Sequence, residues 1–381
     1  MHINAHFDGG NIEVVSAKTP ADIRLNIKMD EGGRHGQWFY FQLCDVAGQA
    51  CAITLENAGN MSYPEGFENY SVAASTDRDH WFRIATEFDG EALSWRHTPS
   101  TDAIYFAYFA PYSFDRHQHL IAQALVTSVA SAQTLCQTPD GHALSLLTLG
   151  QPAENKKNCW VIARQHPGET MAQWWVEGFL NRMLDSEDPV ARALLQSAVV
   201  HLVPSMNPDG GVRGHLRCNA RGVNLNRAWK EPDEMKSPEV FFTRKRMHET
   251  GVDFFLDVHG DEALPYNFIA GAEGVASWSE AKNDELQVFK NLLATISPDF
   301  QTRYGYDLDP PNSSDLRKAT DYVAENFGCL AMTLEMPFKD AANLPMPDIG
   351  WSPGRCQRLG AACVDALWQT IDKGRPIEKH R

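Results

Sequence analysis

The chain has 381 residues, 43% of them hydrophobic and 22% charged, which is enough apolar material for a large core and, by length, for two domains. Its 34 basic residues against 49 acidic ones leave a net charge of −15, which argues against nonspecific binding to nucleic acid or to an anionic membrane. No run is apolar for the roughly 20 residues that a membrane-spanning helix needs, and the opening "MHINAHFDGGNIEVVSAKTP" lacks the charged-then-apolar layout of a secretory leader.

Eight cysteines lie scattered along the chain with no C-x-x-C pair. A chain of this length does not need disulfide staples, so reduced thiols and a cytoplasmic location are the expectation.

From Asn11 to about Thr98 the pattern is of short β-rich runs separated by turn residues: "NIEVVSA", "IRLNIKM", "QWFYFQLCDV", "CAITLENA", "HWFRIATEFDG" and "EALSWRH". Ile23, Leu25 and Ile27 alternate as on a half-buried strand, and the breaks carry Asp-Gly, Gly-Gly or Asn-Ala-Gly. Strands in this number with no helical segment between them predict an antiparallel β-sandwich domain over residues 1–112, closing at "DAIYFAYFAPYSF".

Past Pro111 the character changes. Helix "FDRHQHLIAQALVTSVAS" leads to strands "ALSLLTLG" and "CWVIARQ", helix "ETMAQWWVEGFLNRML" and strand "AVVHLVPSMNPDG". Helix "SPEVFFTRKRMHETG", strand "VDFFLDVHG", helix "ASWSEAKNDELQVFKNLLATI", strand "CLAMTLEMPF" and helix "GRCQRLGAACVDALWQTIDKG" follow. Continuously apolar strands interleaved with amphipathic helices predict an α/β domain over residues 113–381, with a mixed, largely parallel sheet flanked by helices.

The polar residues interrupt these runs at strand ends, where an open α/β sheet places its ligands. "CWVIAR" ends in His166 and Glu169, "FFLDV" in His259, "AVVHLVPS" in Asn207-Pro208-Asp209-Gly210, and "CLAMTL" in Glu335. Each alone reads as well as a satisfied surface group, and Glu169 as a carboxylate complementing a helix N-terminus. Together, His166, Glu169 and His259 form the two-histidine, one-carboxylate set of a catalytic Zn²⁺ site that keeps one position open. Pro167 and Gly168 restrict and then free the backbone between the first two.

The segment "NPDGGVRGHLRCNARGVNLNRAW" carries Arg217, Arg221, Arg227 and Asn226 in what reads as an extended loop. Guanidinium and amide donors in that setting suit bidentate binding of a carboxylate; a solvated basic loop is the plainer alternative. Glu335, at the end of an apolar strand, suits a general base that passes a proton from water to a leaving amine.

"RQHPGE", "NPDG", "GHLRCNARGVNLNRAW", "DVHG" and "TLEMPF", in this order from Arg164 to Phe338, resemble the zinc carboxypeptidases of the carboxypeptidase A type, and within them the cytosolic carboxypeptidase branch. The β-rich front followed by "FAYFAPYSF" is similar to the extra N-terminal domain of that branch. The resemblance implies zinc ligands at His166, Glu169 and His259, an oxyanion-supporting arginine at Arg217, a terminal-carboxylate anchor at Asn226 and Arg227, and the general base at Glu335. It implies a substrate that is the C-terminus of a peptide or protein.

The chain departs from the family pattern at one place. The digestive members carry a mobile-loop tyrosine a little over twenty residues before the catalytic glutamate, but here that spacing falls in "PPNSSDLRK", at Ser313 and Ser314, with Tyr304, Tyr306 and Tyr322 on either side. The role has no assignable holder from the sequence. In branch members that trim glutamates a basic residue lines the pocket floor; its place here is Lys318, with Arg317 as the alternative, which implies a preference for a C-terminal Glu or Asp.

The closest competing function is zinc-dependent deacylation of N-acyl amino acids, as in the succinylglutamate desuccinylase and aspartoacylase relatives, which have no long β domain in front. A cell-wall peptide hydrolase fits less well without an export signal. A non-catalytic reading, with the sandwich as a binding module on a dead scaffold, would require an empty position in the ligand or base set, and every position is filled. The sequence does not set the oligomeric state.

Overall fold

The structure is a computed structural model that describes residues 1–372; Lys373 and Gly374 at the end of the expected last helix, and the rest of the range to 381, lie outside the described residues.

The front of the chain forms nine strands: His2–Asn4, Glu13–Thr19, Asp22–Asn26, Tyr40–Cys44, Cys51–Leu55, Ser71–Ser75, Phe82–Phe88, Leu93–His97 and Ala103–Ala107. Phe82–Phe88 is the corner. Its first half pairs with Ser71–Ser75 and its second half with Leu93–His97, so the chain of pairings passes from one sheet to the next through it. All pairings are antiparallel except one. Asp22–Asn26 runs parallel to Cys51–Leu55, because the strand between them in sequence, Tyr40–Cys44, leaves to pair with Ala103–Ala107 instead. This parallel pair is the one exception to the antiparallel pairing expected from the sequence. Ser71–Ser75, "SVAAS", was not foreseen, since its small residues lack the β-branched and aromatic signal of its neighbours.

The second part holds a seven-stranded sheet. Four strands run parallel in the spatial order Ala198–Val203, Lys157–Ala163, Phe254–Val258 and Leu330–Glu335. Antiparallel strands flank them: Ala143–Leu149 and then Ala130–Gln137 on one side, and Phe268–Ala270 on the other. The first helix stops at Leu125 rather than continuing through "SVAS", because Ala130–Gln137 is an exposed edge strand whose polar sequence hides its conformation. Helices Met171–Leu184, Pro353–Asp372 and Glu280–Ile296 cover one face, and Pro238–Thr250 and Ala319–Phe327 the other.

Lys157–Ala163 sits centrally, and the chain leaves it to one side for Ala198–Val203 before crossing to the other side for Phe254–Val258. The crevice at the carboxyl ends of these strands is therefore a topological switch point.

One buried cluster runs through both parts, while a second fills the other face of the second part's sheet. Tyr108 stacks on Phe338 with ring centroids 4.4 Å apart, Arg83 donates to the carbonyls of Phe338 and Trp351 at 2.8 and 3.3 Å, and Lys339 donates to the carbonyl of Glu68 at 2.7 Å. Among the described residues no helix is long and apolar enough to cross a membrane.

Candidate active site

Three strand ends converge. His166 and Glu169 follow Lys157–Ala163, and His259 follows Phe254–Val258. Arg164, with a positive φ of 56°, makes the reversal that brings the His-Pro-Gly-Glu loop over the sheet edge. Its guanidinium donates to the carbonyls of Pro167 and Tyr112 at 2.8 and 3.0 Å and also bonds Gln173, which holds that conformation in place. A side chain at Gly168 would be crowded, since a Cβ would lie 3.0 Å from the Leu216 carbonyl oxygen that its own N–H contacts, and Leu216 would have to give way by a few tenths of an ångström. Glu169 does not cap the helix that begins at Met171; its carboxylate accepts from the Gly260 N–H at 3.0 Å and turns toward the two histidines.

His166 Nδ1 lies 2.6 Å from Glu169 Oε1, His259 Nδ1 lies 2.7 Å from Glu169 Oε2, and the two Nδ1 atoms are 3.2 Å apart. The three residues are buried and offer donor atoms within 4.8 Å of one another. Two imidazole nitrogens facing each other across a carboxylate make poor hydrogen-bond partners but a good pocket for a divalent cation. The outer nitrogens agree. His166 Nε2 lies 3.1 Å from Asn224 Oδ1 and His259 Nε2 2.9 Å from Asp257 Oδ2, so each outer nitrogen has an acceptor for its proton and each Nδ1 keeps a lone pair for a metal. Asp257 Oδ2 also accepts from Gln165 Nε2 at 2.6 Å, and Gln165 Oε1 accepts from Trp229 Nε1 at 2.8 Å. The residues present fit zinc.

The electrostatics follow from burial. Burial, with Arg217 nearby, pushes His166 down to about 3. Burial also opposes charge on His259, but the carboxylates of Asp257 and Glu169 outweigh it and raise its pKa. The same contest runs the other way for Glu169, where the histidines overcome burial and hold the carboxyl below its ordinary range.

Glu335, at the end of the next parallel strand, is 8% exposed. Burial raises its pKa well above the ordinary carboxyl value, with Glu169, Asp261 and Glu262 adding to the effect and His259 opposing it. Its Oε2 has no hydrogen-bond partner among the described residues. A buried carboxyl that is reluctant to ionise and has one free oxygen suits proton transfer.

Arg217, Asn226, Arg227 and Lys318 line the same cavity, of about 640 Å³, as the two histidines, Glu169 and Glu335. The Arg217 guanidinium lies 4.0 Å from Glu169 and 5.3 Å from the centre of the Tyr63 ring. Asn226 Oδ1 is taken by the Ala319 N–H at 2.8 Å, and its amide nitrogen lies 3.5 Å from His259 Nε2. Lys318 Nζ is 3.6 Å from both Asp309 and Asp321. Arg221 and Arg317 are not in the lining, and Arg317 is paired with Asp315 at 2.8 Å. Asn207 and Asp209 belong to the scaffold: Asn207 caps helix Pro208–Arg213, and Asp209 is buried with Thr138, His142 and the Asp140 N–H.

Of the three tyrosines, Tyr322 bonds His248 at 2.9 Å and lies outside the cavity lining, and Tyr304 stacks on Tyr266. The Tyr306 hydroxyl reaches Asp261 at 2.6 Å and Glu335 at 3.4 Å, while half of the residue is exposed to solvent. Its 335 − 306 = 29 residues from Glu335 exceed the spacing searched for in the sequence. Tyr63 and Glu262 were also missed. Glu262 is buried beside Arg217, and burial raises it to about 8.

Residues 3–109 match the family model described as cytosolic carboxypeptidase N-terminal domain, and residues 122–350 the one described as zinc carboxypeptidase. A solved metallo-carboxypeptidase from Burkholderia cenocepacia is 46% identical, with a TM-score of 0.95 and coverage of 98% of this chain and 100% of that one. The metallo-carboxypeptidase from Pseudomonas aeruginosa, solved in complex with (2-guanidinoethylmercapto)succinic acid, is 39% identical, with the same TM-score and coverage. Mouse cytosolic carboxypeptidase 3 is 29% identical over 332 residues, 77% of this chain and 32% of that protein, so the chain spans about a third of that relative.

Proposed function

Because the chain belongs to the zinc carboxypeptidase family, we propose that it hydrolyses the C-terminal residue from peptides or proteins at the cavity where His166, Glu169, His259 and Glu335 meet. The observation that carries this reading is the convergence of the three donor atoms within 4.8 Å, beside a buried carboxyl and two arginines in one cavity. His166, Glu169 and His259 would hold the zinc, which would supply a Lewis acid and lower the pKa of a water toward neutrality.

Asn226 and Arg227 bind the terminal carboxylate and so fix which peptide bond is presented. Glu335 takes the proton of the attacking water and passes it to the departing amine. Arg217 donates to the oxygen of the scissile carbonyl as negative charge develops there. Tyr306 takes the part of the mobile-loop tyrosine, supported by its hydroxyl beside Glu335 and its half-exposed ring at the cavity rim.

The division into residues 1–112 and 113–381 is part of this reading, supported by helix Phe114–Leu125 starting at the capping Ser113. The finer proposals are a preference for C-terminal Glu or Asp, read at Lys318, and action on cytoplasmic protein tails by deglutamylation. The Pseudomonas relative's ligand joins two carboxyls to a guanidine. The carboxyls suit Asn226 and Arg227, whereas the cationic guanidinium suits Asp309 and Asp321 rather than Lys318, so a basic C-terminal residue is the rival to the acidic preference. The test is a panel of peptides differing only in the last residue, with and without chelator, run beside N-acyl amino acids. Release of single residues that stops on zinc removal is the expected result; acyl-group release alone would establish the deacylase alternative.

A further inference from the structure

The loop that carries Arg217 is held by the front domain rather than by the sheet beneath it. Asp30 is 3% exposed, and its carboxylate accepts three successive backbone N–H groups, those of Leu216 at 2.6 Å, Arg217 at 2.8 Å and Cys218 at 2.8 Å. No Lys, Arg or His side chain forms an ion pair with it among the described residues. A carboxylate whose bonds all go to consecutive amides acts like an anion built into a backbone nest, fixing the path of those residues.

Two further contacts hold the same loop. Asn11 Nδ2 donates to the Gly214 carbonyl at 2.8 Å, and His215 Nε2 accepts from the Glu31 N–H at 3.1 Å. The guanidinium is held separately: Tyr63 lies under it at 5.3 Å, and Tyr63 is bracketed by Gln37, which accepts from its N–H at 2.8 Å and donates to its carbonyl at 2.9 Å. All of these holding residues lie before residue 112.

We infer that Asp30 is the positioning residue of the oxyanion arginine, so that the front domain is a working part of the active site and not a detachable recruiting module. The inference rests on the role proposed for Arg217. An arginine whose base is displaced by about 1 Å loses most of its value to a developing charge, and removing one donor of this kind costs about 10²–10³ in kcat. The Asp30→Ala loss is bounded by that figure. Asp30→Asn keeps the shape, but its NH2 must face one of the three amide donors, so a smaller loss of about tenfold is expected.

The experiment is a cycle of Asp30→Asn, Asp30→Ala, Arg217→Met and the two double variants, measured on one peptide substrate with zinc content recorded for each purified protein. The expected result is a fall in kcat for the Asp30 variants, with KM within about threefold of wild type and zinc retained, and no further loss when Asp30 is changed in the Arg217→Met background. Independent losses that multiply in the double variants assign Asp30 a general structural role and overturn the inference. So does loss of zinc, which moves the effect to the His166–Glu169 loop through the Leu216 contact with Gly168. Full kcat in Asp30→Asn overturns it as well, and does so even if the Asp30→Ala protein does not fold. Wild-type turnover with an impaired Arg217→Met leaves the carboxypeptidase reading standing whichever way the Asp30 variants fall; a wild-type chain without turnover overturns both.

Discussion

The carboxylate behind His259 gives a prediction whose size can be worked out. Asp257 is fully buried, and its Oδ2 serves both His259 Nε2 at 2.9 Å and Gln165 Nε2 at 2.6 Å. In Asp257→Ala both donors lose their acceptor. The Gln165 bond exists with or without metal, so it cancels from the binding equilibrium and enters only the stability of the fold. The His259 bond fixes the tautomer that offers Nδ1, and one charge-assisted bond of about 1.5–3 kcal/mol sets the ceiling on lost zinc affinity, about 10- to 150-fold. This agrees with the roughly 10- to 100-fold cost usual for carboxylates behind metal-binding histidines. Asp257→Asn keeps an oxygen in place and loses only the charge, so about half of that free energy, near tenfold or less, is expected.

The measurement is zinc affinity by competition with a chromophoric chelator. The penalty should grow with pH: Asp257 and Glu169 raise the pKa of His259, so in the wild type a proton competes with the metal at low pH, and the alanine variant relieves part of that competition. An affinity within twofold of wild type at pH 8 would mean that the histidine is oriented by something other than Asp257.

Three further outcomes are expected. Glu335→Gln should retain zinc and lose about 10²–10⁴ in kcat, read by metal analysis and peptide hydrolysis on one preparation; retained turnover would remove Glu335 from the base role. Lys318→Met should lower the ratio of kcat/KM for Glu-ended over Leu-ended peptides by only about two- to fivefold, because Lys318 is 36% exposed and already faces Asp309 and Asp321; an unchanged ratio would remove it from specificity. Glu239 is buried at the start of helix Pro238–Thr250, and burial raises it to about 8, with Asn219 a partial offset. Between the unfolded value and 8 the fold holds a proton that the unfolded chain releases, so its contribution is present below about pH 4.5 and declines as pH rises toward 8. Glu239→Gln should therefore gain melting temperature relative to wild type as pH goes from 5 to 8, and a difference that does not vary with pH would count against the buried neutral acid.

The residues that could be read from the sequence are those whose roles are local. Cys159–Ile162, Phe254–Leu256 and Leu330–Met332 are apolar because both faces of the parallel sheet are covered, and the polar residue ending each such run marks the crevice. His166, Glu169, His259 and Glu335 were visible for that reason. Helix Ala319–Phe327 was hidden because "SSDLRK" reads as loop up to its first residue, although Asp321 in the first turn and the left-handed Gly328 at its end are helix signals. Tyr306 was hidden by spacing, since loop length is free to vary while the hydroxyl's place is not. Asp30 and Tyr63 had no local signal: each is an ordinary turn residue until the other domain folds against it.

The strand order also sets when the site can exist. His166 and Glu169 lie in the loop that follows the central strand, yet Glu335 lies 335 − 169 = 166 residues later, on a strand that pairs with Phe254–Val258. At a synthesis rate of about 5–20 residues per second, a growing chain carries the first two proposed zinc ligands for roughly 8–33 s before the carboxylate proposed for proton transfer has been made. Until the last parallel strand is made and paired, the loop at the end of the central strand stands without Glu335 beside it, so the cavity is completed only when the fold is nearly complete.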